Sequence, residues 1–342
     1  MSRLMLSNDE IGCIKTLIGE LASRFDTAED PAFLQDAPVY AHELPRRVRE
    51  FLNVFRLCEP DEALCTISGF PVDDEGIGTT PVHWKLRDGR SPVLQEEMFL
   101  VLLGSLLGDC IGWSTQQDGH IVHDIMPIKG NEQEQLGSGS ETLLWWHTED
   151  AFHPYRGDYL GMMCLRNPDA VATTFATITG FDQVLTPRQI QLLMEEHFTI
   201  RPDESHLVKN KSEMRQTDDA LAAAYERIET MNTTPQKIAV LYGDPRSPYV
   251  RLDPYFMDPV AGNPEAQEAL DILVAFVDRK LGDHVLNQGD VCFIDNVKGV
   301  HGRKPFVARY DGKDRWLKRI NIARDLRKSR PSRPAADSRV IL

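Results

Sequence analysis

The chain has no Cys-x-x-Cys pair among its six cysteines, so it carries no paired-thiol motif. Several of the cysteines sit in apolar runs, as in Asp290-Val291-Cys292-Phe293-Ile294, and read as buried free thiols. No basic segment followed by an apolar core opens the sequence, which argues against a secretory signal. No apolar run is long enough to span a bilayer, because the longest, residues 98–107, is interrupted by Gly104 and Ser105. Excess positive charge is also missing. A net charge of −14 disfavours nucleic acid or an anionic membrane as partner and leaves room for a small cationic substrate. Neither an internal repeat nor a low-complexity segment occurs. With 42% apolar and 26% charged residues, the composition is that of a globular protein with a substantial core, expected in the reducing cytoplasm.

Over residues 1–110 the pattern is largely helical. Ser7-Asn8-Asp9-Glu10 is a capping box ahead of Ile11, Ile14, Leu17, Ile18, Leu21 and Phe25 at helical spacing. Leu44-Pro45 starts a second helix, with Val48, Phe51, Leu52 and Phe55 on one face. Residues 63–70 read as a strand. A helix over about 93–107 is apolar almost all round and so expected to be buried. From Ile121 onward short β-prone runs take over, at 121–122, 159–165, 171–178, 238–241, 249–252, 291–294 and 319–322. Turn residues between them predict an antiparallel sandwich or barrel. Two helices interrupt this region, one capped by Thr186 ahead of Pro187 and one opened by Asn263-Pro264. The expectation is a single domain over 1–342, mostly β with flanking helices, in which a helical part (1–110) packs on a β core (111–342). Polar loops over 130–142 and 208–220 have the composition of lids.

The chemistry concentrates in Trp145-Trp146-His147-Thr148-Glu149-Asp150 and in His301 far downstream. On an extended strand His147 and Glu149 leave the same face. Two imidazoles and one carboxylate with open coordination positions suit non-haem Fe(II). A His-x-Glu pair alone is a weak signal, since so short a pattern recurs by chance. Arg315 offers a fork that clamps a carboxylate, as a keto-acid bound at such a site would require. Taken alone, Arg315 and Arg319 read as ordinary surface charges, Gln116 as a turn residue and Thr174 as a strand residue. His120, His123, His153, His197 and His206 have no evident partner and receive no role.

Five segments together resemble the clavaminate synthase-like Fe(II)/2-oxoglutarate oxygenases, and among these the free-amino-acid hydroxylases of the kind found in viomycin biosynthesis. They are Thr115-Gln116-Gln117-Asp118-Gly119, His147-Thr148-Glu149-Asp150-Ala151-Phe152, Leu165-Arg166-Asn167-Pro168-Asp169, the stretch Asp295-Asn296 to His301-Gly302-Arg303, and Arg309-Tyr310-Asp311-Gly312 with Asp314-Arg315-Trp316-Leu317-Lys318-Arg319. Their order covers nearly the whole chain. The resemblance implies a distorted double-stranded β-helix (jelly-roll) core with flanking helices. It implies iron held by His147, Glu149 and His301, and 2-oxoglutarate held by Arg315 with the Thr174 hydroxyl. It further implies a free amino acid beside the metal, with Arg319 on its carboxylate and Gln116 and Glu149 near its amine. The reaction so implied is O2-driven decarboxylation of 2-oxoglutarate coupled to hydroxylation of an unactivated side-chain carbon, C3 or C4, in natural-product (non-ribosomal peptide) biosynthesis.

At the far end of the substrate the chain departs from the arginine hydroxylases of that family. They present two aspartates to the guanidinium; here Asp253 matches the first and Tyr255 stands at the second. Gly137 stands where the relative has a serine. Arginine or a close analogue is expected, with citrulline, enduracididine, or desaturation in place of hydroxylation as alternatives. A zinc-dependent hydrolase on the same donor set lacks a clearly placed general base. A non-catalytic jelly-roll binding protein would have no need of a complete triad.

Overall fold

The structure, a computed structural model, describes residues 2–86, 89–212, 216 and 218–342. Four helices come from the first third of the chain: α1 (Asn8–Arg24), α2 (Pro31–Tyr40), α3 (Arg46–Cys58) and α4 (Leu94–Ser105). Three follow later: α5 (Pro187–Leu193), α6 (Asp219–Thr233) and α7 (Pro264–Lys280). The capping box at α1 forms as its sequence predicts, with Ser7 Oγ accepting from Glu10 N at 3.3 Å and Glu10 Oε2 from Ser7 N at 2.8 Å. Thr186 and Gln189 close the same box on α5, and Asn263 caps α7. Helices α2 and α6 were not foreseen. Pro38 inside α2 and the brevity of that helix hide its period, whereas α6 lies next to a segment read as a loop.

Among the described residues, fourteen strands build three sheets. They are β1 (Ser2–Met5), β2 (Leu64–Ser68), β3 (Asp109–Trp113), β4 (His123–Ile125), β5 (Leu144–His147), β6 (Tyr159–Arg166), β7 (Ala172–Thr177), β8 (Leu241–Asp244), β9 (Ser247–Val250), β10 (Gly282–Val285), β11 (Val291–Asp295), β12 (Gly299–Arg303), β13 (Trp316–Ala323) and β14 (Val340–Ile341). The larger sheet runs β1-β2-β11-β6-β13-β3-β14, with β4 also paired to β13. The smaller runs β10-β7-β12-β5, and β8-β9 is a hairpin. Strands β1 and β2 are thus members of the large sheet, so the N-terminal part contributes to the core as well as covering it. The expected strand at 121–122 begins later, at His123, and only Leu241 of the run 238–241 enters a strand.

Alternation along the strands sorts the layers. Met163 of β6, Phe293 of β11 and Ile320 and Ile322 of β13 face α4 and the other N-terminal helices. Their neighbours Met162, Cys164, Ile294 and Leu317 face the opposite way, where Phe175 of the smaller sheet meets them. Strand β6 is buried throughout, which explains its unbroken apolar run. Ala176 and Val300 of the smaller sheet turn outward to Leu270, Leu273 and Val277 of α7. Two sheets facing each other, each covered outside by helices, make a distorted jelly roll with flanking helices. Among the described residues no helix is long and apolar enough to cross a membrane.

Candidate active site

Strands β5 and β12 are antiparallel neighbours, and His147 lies directly opposite His301 in their register. The two rings are 4.7 Å apart between centroids. Glycine at 302 permits this pairing: a Cβ there would lie 2.5 Å from the Leu144 carbonyl oxygen and 2.9 Å from Thr174 Oγ1. His147 Nδ1 donates to the Trp145 carbonyl at 2.8 Å, which turns the Nε2 lone pair inward.

Glu149 is not on the strand, which ends at His147; it sits in the turn that follows. The sequence expectation of one extended face is corrected here. Asn296 does the positioning, its Oδ1 accepting from Glu149 N at 2.8 Å and its Nδ2 donating to Glu149 O at 3.1 Å. Glu149 Oε2 consequently lies 3.4 Å from both His147 Nε2 and His301 Nε2. One ligand atom from each residue falls within 4.8 Å of the others. Burial pushes the His147 imidazole down, but the hydrogen bond to Glu149 and the fields of Asp253 and Glu149 outweigh it and raise it to about 9. Burial holds His301 below its ordinary value, and its Nδ1 has no hydrogen-bond partner. Glu149 thus favours positive charge on His147, a charge that a divalent metal would supply in place of the Nε2 proton, and two imidazole nitrogens with one carboxylate oxygen are a donor set that suits Fe(II).

Two arginines complete the surroundings. Arg315, just before β13, is buried, and Nη2 reaches Thr173 Oγ1 at 3.4 Å while Nε is unpaired. Among the described residues no carboxylate pairs with it. Burial lowers it to about 10. A buried guanidinium without a counter-charge is a ready seat for a carboxylate ligand. The hydroxyl beside it belongs to Thr173 and not, as expected, to Thr174, whose side chain lies against Gly302 on the opposite face of β7. Arg319 Nη1 pairs with Glu149 Oε1, and its Nη2 lies 3.2 Å from Gln116 Oε1 and 3.0 Å from His123 Nδ1.

Around these groups is a pocket between the sheets, lined by Met162, Leu317 and Ile125 from the large sheet and by Trp145 at its rim. Asp253 lines the same pocket, and burial pushes its carboxyl up to about 7. Tyr255 is 51% exposed and stands at the mouth. Gly137 lines the cover; a Cβ there would meet Ile125 Cδ1 at 3.3 Å, so a larger residue requires Ile125 to give way.

The chain matches the description of the taurine catabolism dioxygenase TauD, TfdA family over residues 93–321. It belongs to that dioxygenase family. It is 45% identical to the enduracididine beta-hydroxylase of Streptomyces hygroscopicus over 344 residues, covering 100% of both chains. It is 46% identical over 345 residues to the L-ornithine/L-arginine 3-hydroxylase of Catenulispora acidiphila, again over 100% of both. The non-heme iron oxygenase OrfP, solved with Fe, succinate and (3S)-hydroxy-L-Arg, superposes with a TM-score of 0.93 at 43% identity, over 100% of both chains.

As a TauD/TfdA dioxygenase the chain uses iron, 2-oxoglutarate and O2. From the polar loop 130–142, Asn131, Gln135, Leu136, Gly137 and Ser138 line the pocket. Arg303 ties this loop down, donating to Gly139 O and, at 3.0 Å, to Thr142 O. Of the second polar loop, 208–220, residues 213–215 and 217 lie outside the described residues; Asn210 within it, and Asp203 and Ser205 just before it, line the pocket. Sequence reasoning missed Asp203, Ser205, Thr173, Arg303 and His123 in the dioxygenase site. Asp203 carries only the signal of a turn cap, since its Oδ1 accepts from Ser205 N at 2.9 Å.

Proposed function

We propose that this dioxygenase hydroxylates an unactivated side-chain carbon, C3 or C4, of free L-arginine or a close analogue, in the cytoplasm, as a step in natural-product biosynthesis. The observation that carries the reading is the polarity of the pocket. Gln116, Glu149 and Arg319 gather at one end beside the metal donors, and the buried Asp253 lines the same pocket with no cation paired to it among the described residues. Arg319 offers charge for a carboxylate, Gln116 and Glu149 accept from an ammonium, and Asp253 accepts from a guanidinium. His147, Glu149 and His301 would hold iron, and Arg315 with Thr173 the distal carboxylate of 2-oxoglutarate. Iron, 2-oxoglutarate and O2 supply an oxidant able to remove hydrogen from an unactivated carbon. The protein's own part is to fix which carbon faces the metal and to keep water away, by anchoring the substrate at both ends and covering it with 130–142.

Tyr255 in place of a second carboxylate, and the likeness to an enduracididine hydroxylase, also favour a ring-closed guanidine as substrate. The acidic chain and its six free cysteines, four of them buried, support a reducing compartment and a small-molecule substrate in preference to nucleic acid. Turnover followed by mass spectrometry on arginine, enduracididine, citrulline and lysine tests the reading. Gain of one oxygen on a guanidino amino acid is expected; succinate release unaffected by any of them would overturn it. Asp253→Asn should weaken arginine binding about 10–100-fold, the value of a charge-assisted pair, and leave citrulline nearly unchanged.

A further inference from the structure

Behind the amine end of the pocket lies a buried layer of side chains that the proposed chemistry does not use. Gln116, Glu149 and Ser205 face the pocket, and each has a sequence neighbour in this layer: Thr115, Asp150 and His206, all buried. His206 bridges the other two, with Nε2 3.1 Å from Asp150 Oδ1 and Nδ1 2.9 Å from Thr115 Oγ1. A carboxylate only accepts, so Nε2 carries the shared proton. Asp150 Oδ2 is filled from the large sheet, by Trp113 Nε1 at 2.6 Å and Asn321 Nδ2 at 3.2 Å. Trp113 and Phe152 stand edge-on to the His206 ring.

Asp150, Asp203 and His206 also have the spacing of a metal site. Both Asp150 oxygens and both His206 nitrogens are already engaged, however. Both Asp150 oxygens accept N–H donors, and Asp203 Oδ1 accepts from Ser205. The cluster is a hydrogen-bonded joint.

We infer that His206 is a positioning residue: by bracketing Asp150 and Thr115 it holds the Asp203–Ser205 wall of the pocket in register with Glu149 and Gln116, and so sets recognition of the substrate amine. This inference rests on the amino-acid reading of the pocket. The segment needs such an anchor because it has only a three-residue 3-10 turn, Glu204–His206, and no sheet partner of its own. Its pocket-side tie is the bond from Gln116 Nε2 to Ser205 Oγ at 2.6 Å, one residue along at both ends from the Thr115–His206 contact. Asp150 has φ 50°, a conformation that few residues other than glycine adopt, but Trp113, Asn321 and Asn296 hold the turn that presents Glu149 independently of His206.

The test compares wild type with His206→Leu, His206→Gln and His206→Asn. Three quantities are read: backbone amide exchange over 203–207 without ligand, calorimetric binding of L-arginine to the Ni(II)- and 2-oxoglutarate-loaded protein, and the separate KM values for arginine and 2-oxoglutarate. The leucine variant should lose protection over 203–207 and bind arginine at least about tenfold more weakly. Its nickel loading and 2-oxoglutarate KM should stay within about twofold. Glutamine places an N–H donor where Nε2 was and should restore most of the affinity; asparagine, which reaches only towards Thr115, should not. Equal losses for arginine, nickel and 2-oxoglutarate would overturn the inference, as would asparagine rescuing as well as glutamine. The exchange arm needs no ligand. Lost protection, in a protein that binds no amino acid even as wild type, supports the anchor and sinks the substrate reading. Unchanged exchange sinks the anchor whatever is bound.

Discussion

Arg319 pairs with one carboxylate oxygen of Glu149 while the other lies 3.4 Å from His147 and His301, so a single side chain is shared between the metal donors and the substrate end of the pocket. Glu149 is held well below the ordinary carboxylate range in spite of its burial, because Arg319 and the two histidines favour its charge. On the proposed reading, the sharing ties substrate placement to metal placement through one side chain.

A metal at this triad should stabilise the fold, since it binds the native arrangement and not the unfolded chain. At a free Ni(II) concentration of 100 times Kd the gain is about 2.7 kcal/mol, visible as a rise of a few degrees in Tm over the chelator-treated protein. Scanning fluorimetry measures it. His301→Ala should abolish the rise, and a rise of the same size in that variant would place the ion elsewhere.

Keto-acid binding should separate two adjacent threonines. Thr173→Val removes the hydroxyl next to Arg315 and should raise the 2-oxoglutarate KM several-fold, by about 1 kcal/mol, while Thr174→Val leaves it unchanged. Arg315→Leu should abolish 2-oxoglutarate binding at millimolar concentration. Steady-state kinetics with varied 2-oxoglutarate reports all three. The reverse order of the threonines would restore the original assignment to Thr174.

Arginine affinity should depend on pH through Asp253. Burial raises its carboxyl to about 7 in the substrate-free protein. Below that value it is protonated and must lose the proton to meet a guanidinium. Affinity should therefore rise with pH up to about 7, by up to tenfold per unit, and then level off. Calorimetry between pH 5.5 and 8.5, with Asp253→Asn as the flat control, follows it; a flat wild-type profile would remove Asp253 from recognition.

Stability should fall with pH through a second buried acid. Asp295, at the end of β11, is raised to about 7, first by burial and then by the field of Glu59, against partial relief from the Val297 amide. The folded chain thus holds a proton that the unfolded chain releases near pH 4. Its contribution is complete below pH 4, is lost as pH rises towards 7, and is constant beyond. Asp295→Asn should remove a slope worth a few kcal/mol between those limits, measured by urea unfolding at pH 5 and pH 8.

Much of this is legible in the sequence. Ser7, Thr186 and Asn263 announce their helices because capping is local chemistry. The metal donors and Arg315 became legible through matched segments and not through spacing, because His147 and His301 meet only by strand register. The choice between Thr173 and Thr174 has the same origin: one step along a strand reverses the face, and only pairing with β12 decides which hydroxyl points towards Arg315. His206 looked idle because its partners, Asp150 and Thr115, are distant in sequence and themselves unremarkable.

The pairing of β5 with β12 bears on how the chain is made. Its two histidines are separated by nearly half of the sequence, and Arg315 and Arg319 come later still. No fragment emerging early from the ribosome holds a complete donor set. A nascent chain therefore cannot assemble an oxygen-activating centre before the strands that enclose it exist, and the reactive chemistry is withheld until there is a cavity to confine it.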